Sequence, residues 1–399
     1  MEDEVKKNNG ADQEDKENHE KEKINGKTHV QGQVREYKPL LEKERVEYAR
    51  EIFRSKGYAE KWKKLSPLFL KAKQEKDLNI KEIQEEIIKL KKEKEALILA
   101  HNYMLPEIQE IADFVGDSLE LAIKAAESPH QLIVFCGVHF MAEGVKVVSP
   151  EKTVLLPRLE AGCFMADMIN ISALRKFKEK YPGRPVVCYI NTDAEVKAES
   201  DICCTSANAV SIVKSVNSPE VLFIPDRNLG LYVQRFTNQR IIPWDGWCNV
   251  HHRFKPEDII RLREKHPDVI VVVHPECSPE VIDLADEVFS TGGMVKFAKE
   301  SPHKKIAFAT EEGLVERIRR ENPDKQILSV GSPKTCVNMK SIRIQDVLES
   351  LKELKYKIEV PEEIIEKARI PLIRMLEISR GKEFTRKIFE RHQLPNIKT

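Results

Sequence analysis

Short apolar runs alternate with amphipathic segments along most of this chain. Segments such as 80–95, 171–183 and 255–268 place apolar residues at helical spacing. Near-continuous apolar strands separated by such helices are typical of parallel sheets covered on both faces. The pattern therefore predicts an α/β fold. The runs predicted to be strands are 96–100, 132–136, 153–157, 185–190, 221–225, 240–243, 269–273, 287–290, 305–309 and 326–330.

The pattern occurs three times. In each copy a strand ends at a polar residue, an aspartate follows twelve positions later and a hydroxyl residue seventeen positions later, and a cysteine lies 42 to 45 residues beyond the hydroxyl. A period of 85 to 88 residues is the size of a small domain rather than of a solenoid repeat. We therefore expect three pseudo-threefold-related, three-layer α/β/α domains with small parallel sheets and an active site at their central junction. The strand ends are His101, Tyr189 and His274, the hydroxyls Ser118, Ser206 and Thr291, and the cysteines Cys163, Cys248 and Cys336.

The repeats divide the 399-residue chain into segments of different character. The amino terminus is charged and nearly free of apolar residues, so we expect it to be disordered. Before the repeats we expect a helical extension packed on the body. After them we expect terminal helices and a loosely attached charged tail, 381–399. The predicted segments are a disordered tail (1–36), a helical extension (37–77), three repeats (78–168, 169–253 and 254–345), and C-terminal helices and tail (346–399), with a helix at 361–380 packed on the body.

Composition excludes several classes of protein. A net charge of +1 gives no reason to expect a nucleic-acid or anionic-membrane partner. The amino terminus lacks an apolar signal region, and no run approaches the roughly 18 apolar residues that a membrane span needs. We therefore expect a cytoplasmic protein.

The eight cysteines fall into two groups. Five lie in or beside apolar strand runs and are predicted to be small buried hydrophobic side chains. The other three occupy corresponding turn-like places in the three repeats, which indicates a metal site. Three isolated thiolates suit an iron–sulfur cluster, which then keeps one iron open as a Lewis acid; zinc stays an alternative, although no CxxC pair is present. The five buried cysteines are Cys136, Cys188, Cys203, Cys204 and Cys277.

The polar residues at the strand ends suggest what the site binds. Ligands of open α/β sheets gather beyond the carboxyl ends of the strands. If the three units face one another, the hydroxyls of Ser118, Ser206 and Thr291 and the imidazoles of His101 and His274 surround the open iron as donors to an anionic substrate.

The same residues lie in motifs that resemble those of quinolinate synthase. The similarity runs in order from about residue 80 to residue 380, in motifs such as AHNYMLPEIQEIADFVGDSLELA, EAGCFMADM, YINTDAEVKAESDICCTSANAV, WDGWCNVH, HPECSPEV, STGGM and CVNMK. The resemblance implies a pseudo-threefold α/β enzyme with a [4Fe-4S] cluster on three cysteines. Such an enzyme condenses iminoaspartate with dihydroxyacetone phosphate to quinolinate, phosphate and water, in the biosynthesis of NAD.

Carried over by position, the resemblance assigns the site. It implies that Asn191 and Glu276 contact substrate, which the repeat alone did not single out. The sequence lacks an additional CxxC pair beside the last ligand, so no regulatory disulfide is expected there. A further protein that supplies iminoaspartate is an expected transient partner. The implied ligands are Cys163, Cys248 and Cys336, and the implied substrate contacts are His101, Ser118, Tyr189, Asn191, Ser206, His274, Glu276 and Thr291.

Three of these residues are assigned to catalysis. A carboxylate among hydroxyl and imidazole donors is suited to general acid/base work, which favours Glu276. Tyr189 and His101 are assigned to proton transfer at the carbonyl and hydroxyl carbons. Two alternatives stay open: a zinc-dependent lyase or hydrolase on the same three cysteines, and a catalytically silent iron–sulfur sensor of oxygen or iron. No basic nucleic-acid-binding motif of the kind that sensors carry is visible.

Overall fold

Residues 79–391 are described by a computed structural model, which contains three small parallel sheets flanked by helices. Every sheet has four strands, and in every sheet the first strand of the unit lies between the second and the third. The fourth strand of each unit pairs with the third and forms the other edge of the sheet. This arrangement confirms the predicted α/β fold with three α/β/α units. The segments 1–36 and 37–77 and residues 392–399, for which a tail or an extension is predicted, lie outside the described residues.

The first unit begins with an amphipathic helix and ends with an edge strand. Its central strand, β1, is buried along nearly its whole length, as a strand covered on both faces must be. The elements are α1 (Ile80–Glu93), β1 (Ala96–His101), α2 (Pro106–Ile111), β2 (Phe114–Gly116), α3 (Ser118–Glu127), β3 (Leu132–Cys136), α4 (His139–Val148) and β4 (Thr153–Leu155), followed by a 3₁₀ turn (Ala166–Met168).

The second unit repeats this order with shorter elements. Its elements are α5 (Ile171–Lys180), β5 (Val186–Tyr189), α6 (Ala194–Ala198), β6 (Ile202–Cys204), α7 (Ala209–Ser215), β7 (Glu220–Ile224), α8 (Arg227–Gln234), β8 (Arg240–Pro243) and a 3₁₀ turn (His251–Arg253). The third unit has α9 (Pro256–Lys265), β9 (Ile270–Val273), α10 (Pro279–Ile282), β10 (Glu287–Val288), α11 (Thr291–Glu300), β11 (Lys305–Ala309), α12 (Glu312–Glu321), β12 (Gln326–Ser329) and a 3₁₀ turn (Met339–Ser341).

The aspartate of each repeat ties the second strand to the first. The Oδ2 atom of Asp113 accepts a hydrogen bond from the backbone N–H of Ile98. The same bond occurs in the other units, from Val186 to Asp201 and from Val271 to Asp286. In each case the aspartate's own N–H donates back to the carbonyl of the same strand residue. The repeated aspartate is therefore a scaffold residue, which sets the register at the amino end of each central strand.

Two strands were absent from the runs predicted by hydrophobicity. β2 and β6 are each three residues long, whereas β10, their two-residue counterpart in the third unit, falls within the predicted run 287–290. Both add to the edge of their sheet beside the central strand. Their effect is to return the chain to the carboxyl edge of the sheet, directly before the hydroxyl residue of the repeat.

Three C-terminal helices follow the third unit, and one of them covers the joint between the first two units. They are α13 (Ile344–Glu353), α14 (Glu362–Arg380) and α15 (Lys382–Arg391). α14 packs on α4 of the first unit and on α6 and β6 of the second. The prediction of a loosely attached tail does not hold for residues 382–391, because α15 buries Ile388 and Phe389. No helix within residues 79–391 is both long and apolar enough to cross a membrane.

The aspartate bond yields a test of the scaffold. Replacing Asp201 by Ala leaves the buried N–H of Val186 without its acceptor, so we expect the free energy of unfolding to fall by about 1–3 kcal/mol. Urea unfolding monitored by circular dichroism measures this change. The matched control is Asp324→Ala, whose carboxylate is largely exposed and pairs with exposed Lys304, and which should leave the unfolding midpoint nearly unchanged. Equal losses in the two variants would contradict the scaffold role.

Candidate active site and metal centre

A cavity lies where the carboxyl edges of the three sheets meet, and we call it the central cavity. Its empty volume is about 730 Å³, open solvent at its mouth included. All of the site residues predicted from the sequence line it. They are His101, Ser118, Cys163, Tyr189, Asn191, Ser206, Cys248, His274, Glu276, Thr291 and Cys336.

The three hydroxyl residues stand at or near the start of helices. Ser118 and Thr291 are the first residues of α3 and α11, and Ser206 lies in the turn that leads into α7. Helix N-termini present unpaired backbone N–H groups and a partial positive charge, which favour anions. The cavity wall thus combines hydroxyl donors with helix ends, as an anionic ligand requires.

The histidines at the ends of the β1 and β9 segments share one orientation. The Nδ1 atom of His101 accepts a hydrogen bond from the backbone N–H of Tyr103, and that of His274 accepts one from Glu276. A neutral ring whose Nδ1 accepts carries its proton on Nε2. Burial lowers the pKa of both histidines to about 3, with Lys340 adding to the effect at His101 and His251 at His274. Both side chains are therefore neutral at physiological pH.

Glu276 lies at the centre of a buried polar chain. Its Oε1 atom accepts a hydrogen bond of 2.6 Å from the Tyr189 hydroxyl, and its Oε2 atom lies 2.5 Å from Nδ1 of His251. Burial alone would raise the pKa of the Glu276 carboxyl. The imidazoles of His274 and His251 and the Tyr189 hydroxyl outweigh that effect, and the pKa is lowered. Glu276 is therefore a carboxylate, and burial together with its charge raises the pKa of Tyr189.

The chain continues through residues that sequence reasoning missed. Nε2 of His251 lies 3.3 Å from the Tyr103 hydroxyl and 3.1 Å from the Thr310 hydroxyl, and Tyr103 itself lines the cavity. The repeat does hold a signal for His251. It follows Cys248 by three positions, where the other two repeats have Ala166 and Met339. A departure of one repeat from the others thus marks an ionisable side chain at the site.

Each of the three cysteines precedes a 3₁₀ turn. The carbonyls of Cys163, Cys248 and Cys336 each accept a hydrogen bond from the N–H four residues on. The thiols face the N–H groups of the residues two and three positions later, and these groups favour the thiolate form. The repeat therefore builds the same thiolate-stabilising turn three times.

The three cysteines are partly buried at the same cavity, and this affects the ionisation of their thiols. Burial raises the pKa of Cys163 to about 12 and that of Cys336 to about 11, and it also raises the pKa of Cys248. A charge on Cys336 raises the pKa of Cys163 further, and a charge on Cys163 does the same to Cys248. Desolvated thiolates that raise one another's pKa need a cation among them, so the donor set fits a thiophilic metal centre.

One group of side chains is close enough to hold a single metal ion. The ligand atoms of Cys248, His251 and Glu276 all lie within 4.8 Å of one another. Thiolate, imidazole and carboxylate are all ligands that divalent metals use in proteins. A further observation points to a small-molecule ligand: Oδ1 of Asn191 is buried at the cavity and has no hydrogen-bond partner among residues 79–391. Buried acceptors normally have a donor, and a bound ligand would supply it.

The other five cysteines differ from the three at the cavity in that they are fully buried. None of them lines the central cavity, and each is completely buried in the core, as the sequence predicted. Burial raises the pKa of four of these thiols, those of Cys136, Cys203, Cys204 and Cys277. The buried cysteines are Cys136, Cys188, Cys203, Cys204 and Cys277.

Fold and cavity together define a three-unit α/β protein with three cysteine thiols in one ligand cavity. Comparison with known proteins then gives the family. The family model described as "Quinolinate synthetase A protein" matches residues 85–377. The chain therefore belongs to the quinolinate synthetase A family and is an enzyme of that type, which confirms the resemblance seen in the motifs.

Curated relatives agree with this assignment. The chain is 55% identical over 297 residues to quinolinate synthase of Dehalococcoides mccartyi (strain 195), and the match covers 74% of this chain and 98% of the relative. It is 50% identical over 299 residues to quinolinate synthase of Geotalea uraniireducens, with 75% and 98% covered. It is 49% identical over 296 residues to quinolinate synthase of Methanoregula boonei, with 74% and 98% covered. About a quarter of this chain therefore has no counterpart in these relatives.

The neutral histidines make stability depend on pH. The folded-state pKa of His101 lies below the ordinary value of 6.5, so below about pH 6.5 the unfolded chain takes up a proton that the folded chain does not. Stability should therefore fall as the pH decreases, by about 1 kcal/mol per histidine between pH 7 and pH 5.5. Urea unfolding at both pH values should show a smaller difference for His101→Gln than for the unsubstituted protein. An unchanged difference would mean that His101 is protonated in the folded protein.

Proposed function

We propose that this protein is a quinolinate synthase. It condenses iminoaspartate with dihydroxyacetone phosphate to form quinolinate, phosphate and water, as a cytoplasmic step in the biosynthesis of NAD. One observation carries the proposal: the predicted contacts for substrate and for cofactor, which come from three separate repeats, all line one cavity. Membership of the family supports it, because the curated relatives carry the same name.

The cofactor in this proposal is a [4Fe-4S] cluster on Cys163, Cys248 and Cys336. The chemistry of the donor set supports the assignment, since three partly buried cysteines each have a thiol that faces two backbone N–H groups of a 3₁₀ turn. When bound, a cluster with only three protein ligands supplies an open, Lewis-acidic iron to a departing hydroxyl group. The remaining steps depend on the side chains around it.

Five of the substrate contacts in the proposal are hydrogen-bond donors, in keeping with the charge of the substrates: His101, Ser118, Ser206, His274 and Thr291. Iminoaspartate has two carboxylates and dihydroxyacetone phosphate has a phosphate, so the ligands are anions throughout. Hydroxyl groups at helix starts and neutral imidazoles with the proton on Nε2 are donors that need no counter-charge. The proposed contacts are His101, Ser118, Tyr189, Asn191, Ser206, His274, Glu276 and Thr291.

Proton transfer in the proposal centres on Tyr189 and Glu276. Because the Tyr189 proton is donated to Oε1 of Glu276, the lone pairs of the phenol oxygen are free to face the substrate. Tyr189 then takes a proton from the substrate and passes its own to the Glu276 carboxylate. The ionised state of Glu276 supports a role as base at the start of the reaction. His101 donates a hydrogen bond from Nε2 to a substrate oxygen.

A transient partner is part of the proposal. Imines hydrolyse in water, so an enzyme that releases iminoaspartate near this cavity would limit the loss of the substrate. We propose such an enzyme as the source of iminoaspartate.

A zinc-dependent lyase or hydrolase is the second candidate. The close grouping of Cys248, His251 and Glu276 favours it, because three ligands of these types plus water form a common catalytic zinc site. In that case zinc, rather than a cluster, would occupy the centre.

Metal analysis separates the two candidates. Protein prepared without oxygen should be brown and contain about four iron and four sulfide per chain. Replacing Cys163 by Ser should remove the cluster and all quinolinate formation, because no further cysteine lines the central cavity to replace it. Cys277→Ser is the matched control and should keep both. About one zinc per chain without sulfide would refute the synthase proposal.

Glu276 tests the chemistry apart from the cofactor. We expect Glu276→Gln to keep the colour and the iron content, since this residue is not a proposed ligand. Turnover should fall by roughly 10²- to 10⁴-fold, the usual contribution of a positioned acid or base. Quinolinate formation by the anaerobic holoenzyme measures the loss. Glu280→Gln, four residues on and exposed, should leave turnover unchanged; loss of iron from Glu276→Gln would make Glu276 a ligand instead.

A further inference from the structure

Asn102 lies behind the cavity wall, between the first and the third unit. It directly follows the strand-end residue His101, is fully buried and does not line the central cavity. Its side-chain Nδ2 donates a hydrogen bond of 3.0 Å to Oγ1 of Thr291 at the start of α11. Its Oδ1 accepts a hydrogen bond from Nη1 of Arg317 on α12. One side chain of the first unit thus joins two elements of the third.

The guanidinium of Arg317 determines which way the Asn102 amide points. An amide can be turned end for end without changing its shape, but a guanidinium can only donate. The oxygen of Asn102 must therefore face Arg317, and its NH₂ group must face Thr291. Arg317 is itself held in place, because it also donates to the carbonyl of Val115 and pairs with Glu321.

The Asn102 amide in turn determines the role of the Thr291 hydroxyl. A hydroxyl has one proton and two lone pairs, and here one lone pair accepts from Asn102. Within the described part of the chain, the Thr291 hydroxyl donates to no protein group, and Thr291 lines the central cavity. Its proton is therefore free to be donated into the cavity.

We propose that Asn102 is a positioning residue, which directs the Thr291 hydroxyl proton towards an anionic group of the bound ligand. The proposal rests on the proposed function, which makes that ligand a dicarboxylate. The hydrogen bonds all run in one direction: Arg317 donates to Asn102, Asn102 donates to Thr291, and Thr291 donates to the ligand. Asn102 never touches the ligand, and its effect on binding passes through one hydroxyl group.

An isosteric substitution reverses the polarity. In Asn102→Asp the carboxylate still pairs with Arg317, but it can only accept, so it takes the proton of Thr291. The hydroxyl would then present a lone pair to an anion. Quinolinate binding to the anaerobic holoenzyme, measured by calorimetry, should weaken by about 10- to 100-fold, as expected for the loss of a hydrogen bond to a charged group. Iron content should stay unchanged.

A double substitution separates this mechanism from repulsion by the new charge. In Thr291→Val the hydroxyl is gone, so adding Asn102→Asp should weaken quinolinate binding by less than about 3-fold. A full additional loss in the double variant would show that the carboxylate introduced by Asn102→Asp acts directly on the ligand through its charge, and it would overturn the proposal. Unchanged affinity in the single variant Asn102→Asp, with normal iron content, would overturn it as well.

Quinolinate binding by the unsubstituted holoenzyme tests the proposed function separately from the positioning role of Asn102. If it fails to bind quinolinate, the proposed function is overturned and the role of Asn102 falls with it. If it binds quinolinate while Asn102→Asp binds equally well, the function stands and only the positioning role is lost. If Asn102→Asp unfolds, Asn102→Ser is the second variant. It should weaken quinolinate binding by less than Thr291→Val does, and a larger loss would contradict the proposal.

Discussion

The structure depends on the burial of three strand ends in one place. β1 ends at His101, β5 ends at Tyr189, and β9 is directly followed by His274. All three of these polar residues are buried beside the central cavity. Polar groups buried in this way must find partners, either in the protein or in a ligand. The backbone N–H groups of Tyr103 and Glu276 donate hydrogen bonds to the two histidines. The Glu276 carboxylate accepts one from the Tyr189 hydroxyl. Much of the order around the cavity follows from that need.

Burial also decides where the protons lie. It lowers the pKa of His101 and His274 and keeps them neutral, whereas Glu276 stays ionised because polar neighbours outweigh its burial. Donors and acceptors around the cavity are thus assigned by the protein before any ligand arrives. Preorganised groups of this kind bind a charged ligand without reorientation at the moment of reaction.

The threefold repeat supplies the scaffold, and its departures supply the chemistry. The aspartate that ties the strands and the turn after each cysteine occur in all three units. The acid/base groups do not. Tyr189 stands where the other units have histidine, and His251 stands where they have Ala166 and Met339. A single ligand bound on a pseudo-threefold axis has no threefold symmetry of its own, so the side chains that act on it must differ.

Local spacing determined what the sequence could reveal. Strand ends, hydroxyls and cysteines recur at matched distances, and strands of four or more residues carry a clear apolar pattern, so the fold and nine of the eleven predicted site residues were predictable from residues alone. Asn191 and Glu276 came only from family resemblance, since the repeat does not mark them. β2 and β6 were not among the predicted runs. What only the tertiary structure decided are the contacts between units. Glu276 meets Tyr189 and His251 of the second unit, and Asn102 meets Thr291 across 189 positions of sequence, because packing rather than spacing brings those side chains together.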